Sequence, residues 1–379
     1  MTWELDDEHR DFQASCRSFV DREVRPRVDA AEASGTFPAD LWKPLGAAGL
    51  LGLVTPVEHG GDDGDGLAVA LLAEELARAS GGIAVTALVS AYMAAPHIAR
   101  YGTPAQQARW LPPLATGEAV ASIAVTEPGT GSDVAGVTTT ARRTDEGWVL
   151  NGRKMYITNA GLADLWIVAA RTGDAGRGGV TLFLVETTAP GVSTGAPLAK
   201  MGWHSSDTRE VVLDDVTVPA DAVLGQENRG FYQIMEAFQL ERIALAGMGI
   251  GHAAECLDLA SDYARQREAF GAPLTHLQTV RHKLALMEIE LEAARLVTYQ
   301  AAARLDAGHP EAAKSVARAK YVSAVACNRI VDDAVQLFGG AGFVEESPVA
   351  RHYRDARILR IGGGTDEIQL EILTRGMAS

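Results

Sequence analysis

FYQIMEAFQLERIALAGMGIGHAAECLDL, residues 231–259, is the stretch on which the reading of this chain turns. At about 100° per residue, Ile234, Phe238, Glu241, Leu245, Met248, His252 and Leu259 fall on one narrow stripe, and all but Glu241 and His252 are apolar. That pattern predicts a long amphipathic helix with its stripe turned toward a core. A carboxylate in the middle of such a stripe loses hydration, which raises its pKa and suits it to proton transfer. A buried ion pair, with Arg242 or a distant arginine as partner, accounts for the same residue equally well. His252 reads as a core residue. The helix alone does not choose a role for its acid.

The rest of the composition narrows the field. A chain of 379 residues exceeds one simple core, so two or three domains are expected. The 47% hydrophobic and 22% charged residues are those of a globular protein, and a net charge of −15 argues against nucleic acid as a partner. Cys16, Cys256 and Cys327 lie far apart, which excludes a disulfide framework and metal-ligand spacing and points to a reducing interior. The first eight residues are acidic and lack the apolar core of a signal peptide. No run approaches the ~20 apolar residues of a membrane span, so a cytoplasmic protein without a membrane partner is expected.

Three textures follow one another along the chain. Residues 1–116 predict helices over 6–31, from Phe37-Pro38-Ala39-Asp40, over 67–79 and 83–101, and from Pro104 to about Trp110. The acidic, Gly-rich segment 59–64 lacks EF-hand spacing and reads as a solvated turn. Residues 117–226 carry short β-branched runs at 119–126, 138–142, 147–151, 155–158, 165–170, 180–185 and 210–218, bounded by turn residues, which predict a small antiparallel barrel or sandwich. Residues 227–379 return to helix over 228–267, 274–307, 310–338, 346–357 and 365–376, the pattern of a bundle. The fold class is therefore α+β, mainly α. Gly247-Met248-Gly249-Ile250-Gly251 lies inside a predicted helix, so these glycines read as close helix packing rather than a dinucleotide fingerprint.

One turn stands apart. Thr126-Glu127-Pro128-Gly129-Thr130-Gly131-Ser132-Asp133 ends a strand with glycines, hydroxyls and free amides, which can approach a planar heterocycle or a phosphate, although an ordinary Asx and Ser turn has the same composition. Together with Asn151-Gly152-Arg153-Lys154-Met155-Tyr156-Ile157-Thr158-Asn159, Ser205-Ser206-Asp207-Thr208-Arg209-Glu210, Arg267-Glu268-Ala269-Phe270-Gly271 and Gln336-Leu337-Phe338-Gly339-Gly340-Ala341-Gly342-Phe343, it resembles the acyl-CoA dehydrogenase family, motif after motif in order. The resemblance implies an N-terminal helical domain, a central β-domain and a C-terminal four-helix bundle. It implies FAD, with Val125, Thr126, Tyr156 and Thr158 along the flavin ring, Gly131 among the cofactor-binding residues and Ser132 facing flavin or substrate. Arg267, Phe270, Gln278, Gln336, Gly339 and Gly340 would reach the cofactor of a neighbouring subunit in a tetramer or dimer, and Thr365 and Glu367 would touch the flavin again.

Two departures bear on chemistry. Many members carry the catalytic glutamate where this chain has Gly363, while a smaller branch, including isovaleryl-CoA dehydrogenase, carries it on the bundle helix in a Glu-Arg pair that Glu241-Arg242 resembles. The implied reaction is α,β-dehydrogenation of an acyl thioester, Glu241 taking the α-proton and flavin N5 the β-hydride. Glycine at 362 and 363 would let the pocket wall recede and admit a branched or cyclic acyl group. The second departure is Gln239, where an aspartate often contacts pantetheine; it leaves open a thioester on coenzyme A or on a carrier protein. Arg242 and Gly363 belong to the same expected substrate pocket. Electron-transferring flavoprotein is the expected oxidant, with dioxygen the alternative, and a flavin-binding paralogue that is no dehydrogenase is the rival class.

Overall fold

The structure, a computed structural model, describes residues 5–375; Met1 to Glu4 of the acidic start and the last four residues lie outside it. The first helices are α1 (Asp7–Phe19), α2 (Val28–Ser34), α3 (Trp42–Ala47), α4 (Gly66–Ala79), α5 (Gly81–Leu88), α6 (Ala95–Tyr101) and α7 (Pro104–Thr116). The single helix expected over 6–31 is broken by a π turn at Val20–Val24 and a 3-10 turn at Arg25–Arg27, because Pro26 has no N–H to give and crowds the turn before it. The same cause puts a π turn at Val89–Ala94, just ahead of Pro96. Helix α7 outruns its expected end at Trp110: Thr103 and Gln106 form a capping box with Pro104 at the first position, and the helix carries Pro112 and Pro113 within it.

The middle of the chain forms one eight-stranded sheet of β1 (Ala121–Ala124), β2 (Thr140–Thr144), β3 (Gly147–Thr158), β4 (Leu165–Arg171), β5 (Val180–Glu186), β6 (Val192–Thr194), β7 (Thr208–Pro219) and β8 (Val223–Leu224). The order is β6-β7-β3-β2-β4-β5-β8, with β1 added on β4. The sheet is mixed rather than wholly antiparallel, since β1 and β2 both run parallel to β4. The two strands expected at 147–151 and 155–158 are one strand, bent by irregularities in its pairing with β7. Trp148 of β3 meets Phe183 of β5 edge-on at 5.3 Å although two strands separate them in the order, so the sheet folds over on itself. Strand β4 is buried on both faces: Trp166, Val168 and Ala170 enter the main core, while Leu165, Ile167 and Ala169 enter a second core with α6, α7 and the start of the next helix.

The last part comprises α8 (Gly230–Gln266), the short hairpin of β9 (Glu268–Ala269) and β10 (Ala272–Pro273), α9 (Gln278–Asp306), α10 (Ala312–Phe338), α11 (Pro348–Ala356) and α12 (Asp366–Thr374). Helix α8 is the axis of the molecule. A Cβ at Gly247 or Gly251 would stand 2.4 or 2.2 Å from backbone oxygens of α4, and one at Gly249 would stand 2.5 Å from Ser323 Oγ of α10, so the three glycines serve close helix packing. His252 is fully buried and its Nδ1 meets Nδ1 of His352 at 2.7 Å, a core pair held neutral by burial. Two helical stretches, Gly81–Tyr101 and Gly230–Gln266, are after all long and apolar enough to cross a membrane, contrary to the sequence reading; 89% and 83% of their most apolar windows lie buried within the protein. Their apolarity is taken up by its own core.

Candidate active site

Glu241 sits about a third of the way along α8, 9% exposed, beside a strap of backbone at 362–364 that leads into α12. Burial pushes its carboxyl up to about 7, even though the cations of Arg242 and Lys320 pull the other way. The strap is tied down from three sides. Arg242 Nε donates to Gly363 O at 3.0 Å, Lys320 Nζ donates to Gly364 O at 2.6 Å, and Gln369 Nε2 donates to both carbonyls at 3.2 and 2.9 Å. Thr365 caps α12 through its hydroxyl. Gly363 has φ +65°, and a Cβ built there would lie 3.5 Å from Glu241 Oε1 and 2.6 Å from Leu245 Cδ1. Positions 241 and 363 therefore converge on one point, and only the first can hold a side chain without strain. The wall does not recede at Gly363, because Leu245 fills that space. At Gly362 a Cβ would meet only Ile358 O, at 3.7 Å.

The β-domain supplies a second wall. Met155 N donates to Thr126 O and Ser122 Oγ to Thr158 O, which brings Thr126, Tyr156 and Thr158 together. Between Lys154 and Ile157 strand β3 has two residues where β7 has one, a bulge that puts Tyr156 at φ +60° and leaves its ring 66% exposed. Val125 is buried instead, in the core that also holds Phe238 of α8, so the wall and the helix of Glu241 are packed together. Gly131 and Ser132 are exposed on the loop that follows. Gln239 turns its Nε2 back onto Met235 O and keeps Oε1 as a buried acceptor without a protein donor.

The remaining expected residues gather elsewhere. Arg267, Phe270, Gln278, Gln336, Gly339 and Gly340 are all exposed at the far end of the bundle, where Tyr263 of α8 stacks on Phe338 of α10 at 4.2 Å. Phe270, at the tip of the β9–β10 hairpin, is 95% exposed. At ~1.5 Å per residue, Glu241 and the end of α8 stand roughly 37 Å apart. Glu367 is exposed on α12, with Thr365 partly covered beside it.

Sequence reading passed over two buried cations, one partly buried cation and their partners. Lys154 is fully buried, with Nζ 2.8 Å from Glu127 Oε1 and 3.2 Å from Val125 O. Burial would raise Glu127, but Lys154 and the Thr138 and Thr139 donors outweigh it and hold the carboxyl near 2. Alternation along β3, with Trp148, Leu150 and Lys154 in one phase, carried that signal. Lys320 occupies an apolar stripe of α10 with Val316, Ser323 and Cys327, and burial brings it down to about 8. Arg171 gave no sequence signal at all. Two grooves of about 520 and 440 Å³ open on the outside of the sheet, by Arg143 and Trp148 and by Gln106 and Trp110, and neither includes Glu241.

A buried, proton-ready carboxylate between a helical bundle and a β-wall bearing an exposed aromatic face defines an oxidoreductase of the three-domain α–β–α flavoprotein class. The chain belongs to the acyl-CoA dehydrogenase family: the models for its N-terminal, middle and C-terminal domains match residues 6–118, 122–216 and 228–378. The structure is similar to butyryl-CoA dehydrogenase from Megasphaera elsdenii, with a TM-score of 0.96 and 38% identity over all of both chains. It is also similar to the FAD complex of PigA, with a TM-score of 0.96 and 29% identity over 100% of this chain and 99% of that one. In sequence it is 38% identical over 374 residues to the mitochondrial isovaleryl-CoA dehydrogenase of Oryza sativa subsp. japonica, covering 98% of this chain and 91% of the relative. The protein is an FAD-dependent oxidoreductase that dehydrogenates acyl-CoA.

The residues present fit FAD. Tyr156 offers an exposed aromatic face in an otherwise bonded strand, suited to a flat ring system, and a Cβ at Gly129, Gly131, Gly339 or Gly340 would meet nothing within 4 Å, so the backbone there leaves room for a phosphate or ring to approach closely.

Proposed function

We propose that Glu241 is the base that takes the α-proton of the acyl thioester. The observation that carries this is the convergence of Glu241 on position 363, where the left-handed turn would strain any side chain and a Cβ would displace the end of Leu245. A carboxyl near 7 is poised to accept a proton near neutral pH and to hold it in a dry pocket. Thr126, Tyr156, Thr158 and Thr365 would flank the flavin ring and Ser132 its mouth, with Glu367 at the rim. Bound FAD supplies the two-electron acceptor. Gln239 Oε1 offers a pantetheine amide the same kind of acceptor that an aspartate would, so the substitution does not count against a pantetheine thioester. That leaves coenzyme A favoured by family and a carrier protein as the second source. Room at Gly362 supports a branched or cyclic acyl group.

The chain works as a homo-oligomer. Arg267, Phe270, Gln278, Gln336, Gly339 and Gly340 lie too far from Glu241 to share its cofactor within one chain, and they suit the pyrophosphate and adenosine end of a neighbour's FAD. Leu286, Ile289 and Leu296 form an exposed apolar stripe on α9, 40–63% accessible, which a second copy would cover. Electron-transferring flavoprotein is the proposed oxidant.

Anaerobic bleaching of the bound flavin's visible band tests the reading. Short, long, branched and cyclic acyl-CoAs are compared with one carrier-bound thioester. Rapid bleaching by a branched acyl-CoA is expected. A faster straight-chain substrate would sink the acyl preference, bleaching by the carrier form alone would move the substrate, and full activity of Glu241→Gln would remove the base.

A further inference from the structure

Arg171, the last residue of β4, makes five hydrogen bonds, and all go to backbone carbonyls. Nη2 donates to Ala135 O at 2.6 Å and Val137 O at 3.1 Å, and Nε donates to Val137 O at 3.3 Å. Nη1 donates to Asp174 O at 3.0 Å and Gly176 O at 2.8 Å. The first two carbonyls belong to the loop between β1 and β2, which carries Gly131 and Ser132; the other two belong to the hairpin 172–179 between β4 and β5. A planar guanidinium with five donors is the one side chain that can fill such a four-carbonyl set.

The two segments have different anchors otherwise. The base of the first loop is held by Glu127, whose carboxylate takes Thr138 N, Thr138 Oγ1 and Thr139 N at 2.6–2.9 Å. Its outer part, 129–134, is held by local turn bonds: Glu127 and Thr130 exchange both backbone bonds at 2.9 and 3.1 Å, Thr130 Oγ1 donates to Gly136 O and Gly136 N to Asp133 O. The hairpin is tied at its tip to α8, where Arg177 lies over the Phe231 ring at 5.4 Å. Val134, Phe231, Met235 and Phe238 pack on one core, four residues or fewer along α8 from Gln239 and Glu241 at its nearest point. Arg171 thus joins the loop of Ser132 to the hairpin that touches the N-terminal end of α8.

We propose that Arg171 is a positioning residue for the thioester: it holds the loop of Ser132 against the 172–179 hairpin, and so sets how tightly the CoA portion is held while leaving the proton-transfer step unchanged. This rests on that loop being a wall of the site. Ordering the wall before substrate arrives removes a cost that each binding event would otherwise carry.

The test uses the holoenzyme and whichever of butyryl-CoA and isovaleryl-CoA the unmodified protein turns over faster. In Arg171→Met, KM is expected to rise by about 10–100-fold, by analogy with the loss of the outer-shell partners that orient metal ligands. The turnover number should stay within about threefold, the pattern of lost uniform binding. The dissociation constant of the same thioester, read in a Glu241→Gln background from the shift of the flavin band, should rise in parallel. Amide hydrogen exchange should quicken at 129–137 and 172–179 and nowhere else. Arg171→Lys, able to reach only part of the carbonyl set, should fall between; if the Met variant does not fold, the Lys variant must still raise KM. An unchanged KM and dissociation constant, or a loss confined to the turnover number, overturns the proposal. Full activity of Glu241→Gln alone would sink the base and leave the Arg171 result standing.

Discussion

Replacing Glu241 by Gln should make the folded protein more stable at alkaline pH while removing its activity. The carboxyl is moved from 4.5 to about 7 by burial, which the neighbouring Arg242 and Lys320 only partly offset. At 1.36 kcal/mol per unit, ionising it in the folded state costs roughly 3 kcal/mol relative to the unfolded chain. A raised carboxyl means that the folded state binds the proton more tightly. That stabilisation is complete below about pH 4.5, declines as pH rises, and is gone above about 7. Glutamine keeps the shape and never ionises. Its stability advantage over the unmodified protein should be near zero at pH 4.5 and about 3 kcal/mol at pH 8. Urea unfolding of the two holoproteins at both pH values measures this, with the flavin band and far-ultraviolet dichroism as probes. The same variant should lose at least about 100-fold in flavin reduction, the usual scale of a general base. An advantage that is equal at both pH values would refute the assignment of a dry carboxylate only partly compensated by its neighbouring cations, even if turnover fell.

Lys320→Met takes away one of the two cations that lower Glu241, so the rising limb of the pH–rate profile should move to higher pH; an unmoved limb would deny Lys320 an electrostatic role. Lys154→Met strands the Glu127 carboxylate in a dry site and should cost about 3–5 kcal/mol in urea unfolding, most of it restored by adding Glu127→Gln. If the double variant were as unstable as the single, the loss would be one of packing. Leu286→Asp with Ile289→Asp should dissociate the oligomer in light scattering and weaken FAD retention together, because the bundle end that is proposed to complete a neighbour's cofactor site would be withdrawn. A variant that dissociates yet keeps its FAD would refute that sharing.

The three textures of the chain were legible because each rests on local periodicity. The 3.6-residue stripe from Ile234 to Leu259 and the short β-branched runs between 119 and 218 needed no partner to be read. Breaks set by proline were the exception: at Pro26 and Pro96 the residue was visible, but whether the helix would stop or continue through a π turn depended on the packing around it. The parallel pairing of β1 with β4 was hidden for the same reason, since strand direction belongs to the connection between strands and not to the strands.

By itself the sequence determined the order α, β, α and the acid in the core-facing stripe, because residue type and spacing are all that those statements need; that a glycine stands at 363 in place of an acid was legible only through the family resemblance. Tertiary structure alone decided that Glu241 and Gly363, 122 positions apart, converge so that a Cβ on the glycine would lie 3.5 Å from Glu241 Oε1, that Leu245 closes the space Gly363 seemed to open, and that Lys154, Lys320 and Arg171 are buried or bonded where their charge matters. A charge acquires its chemistry from the dielectric and the partners around it, and these come from segments distant in the chain.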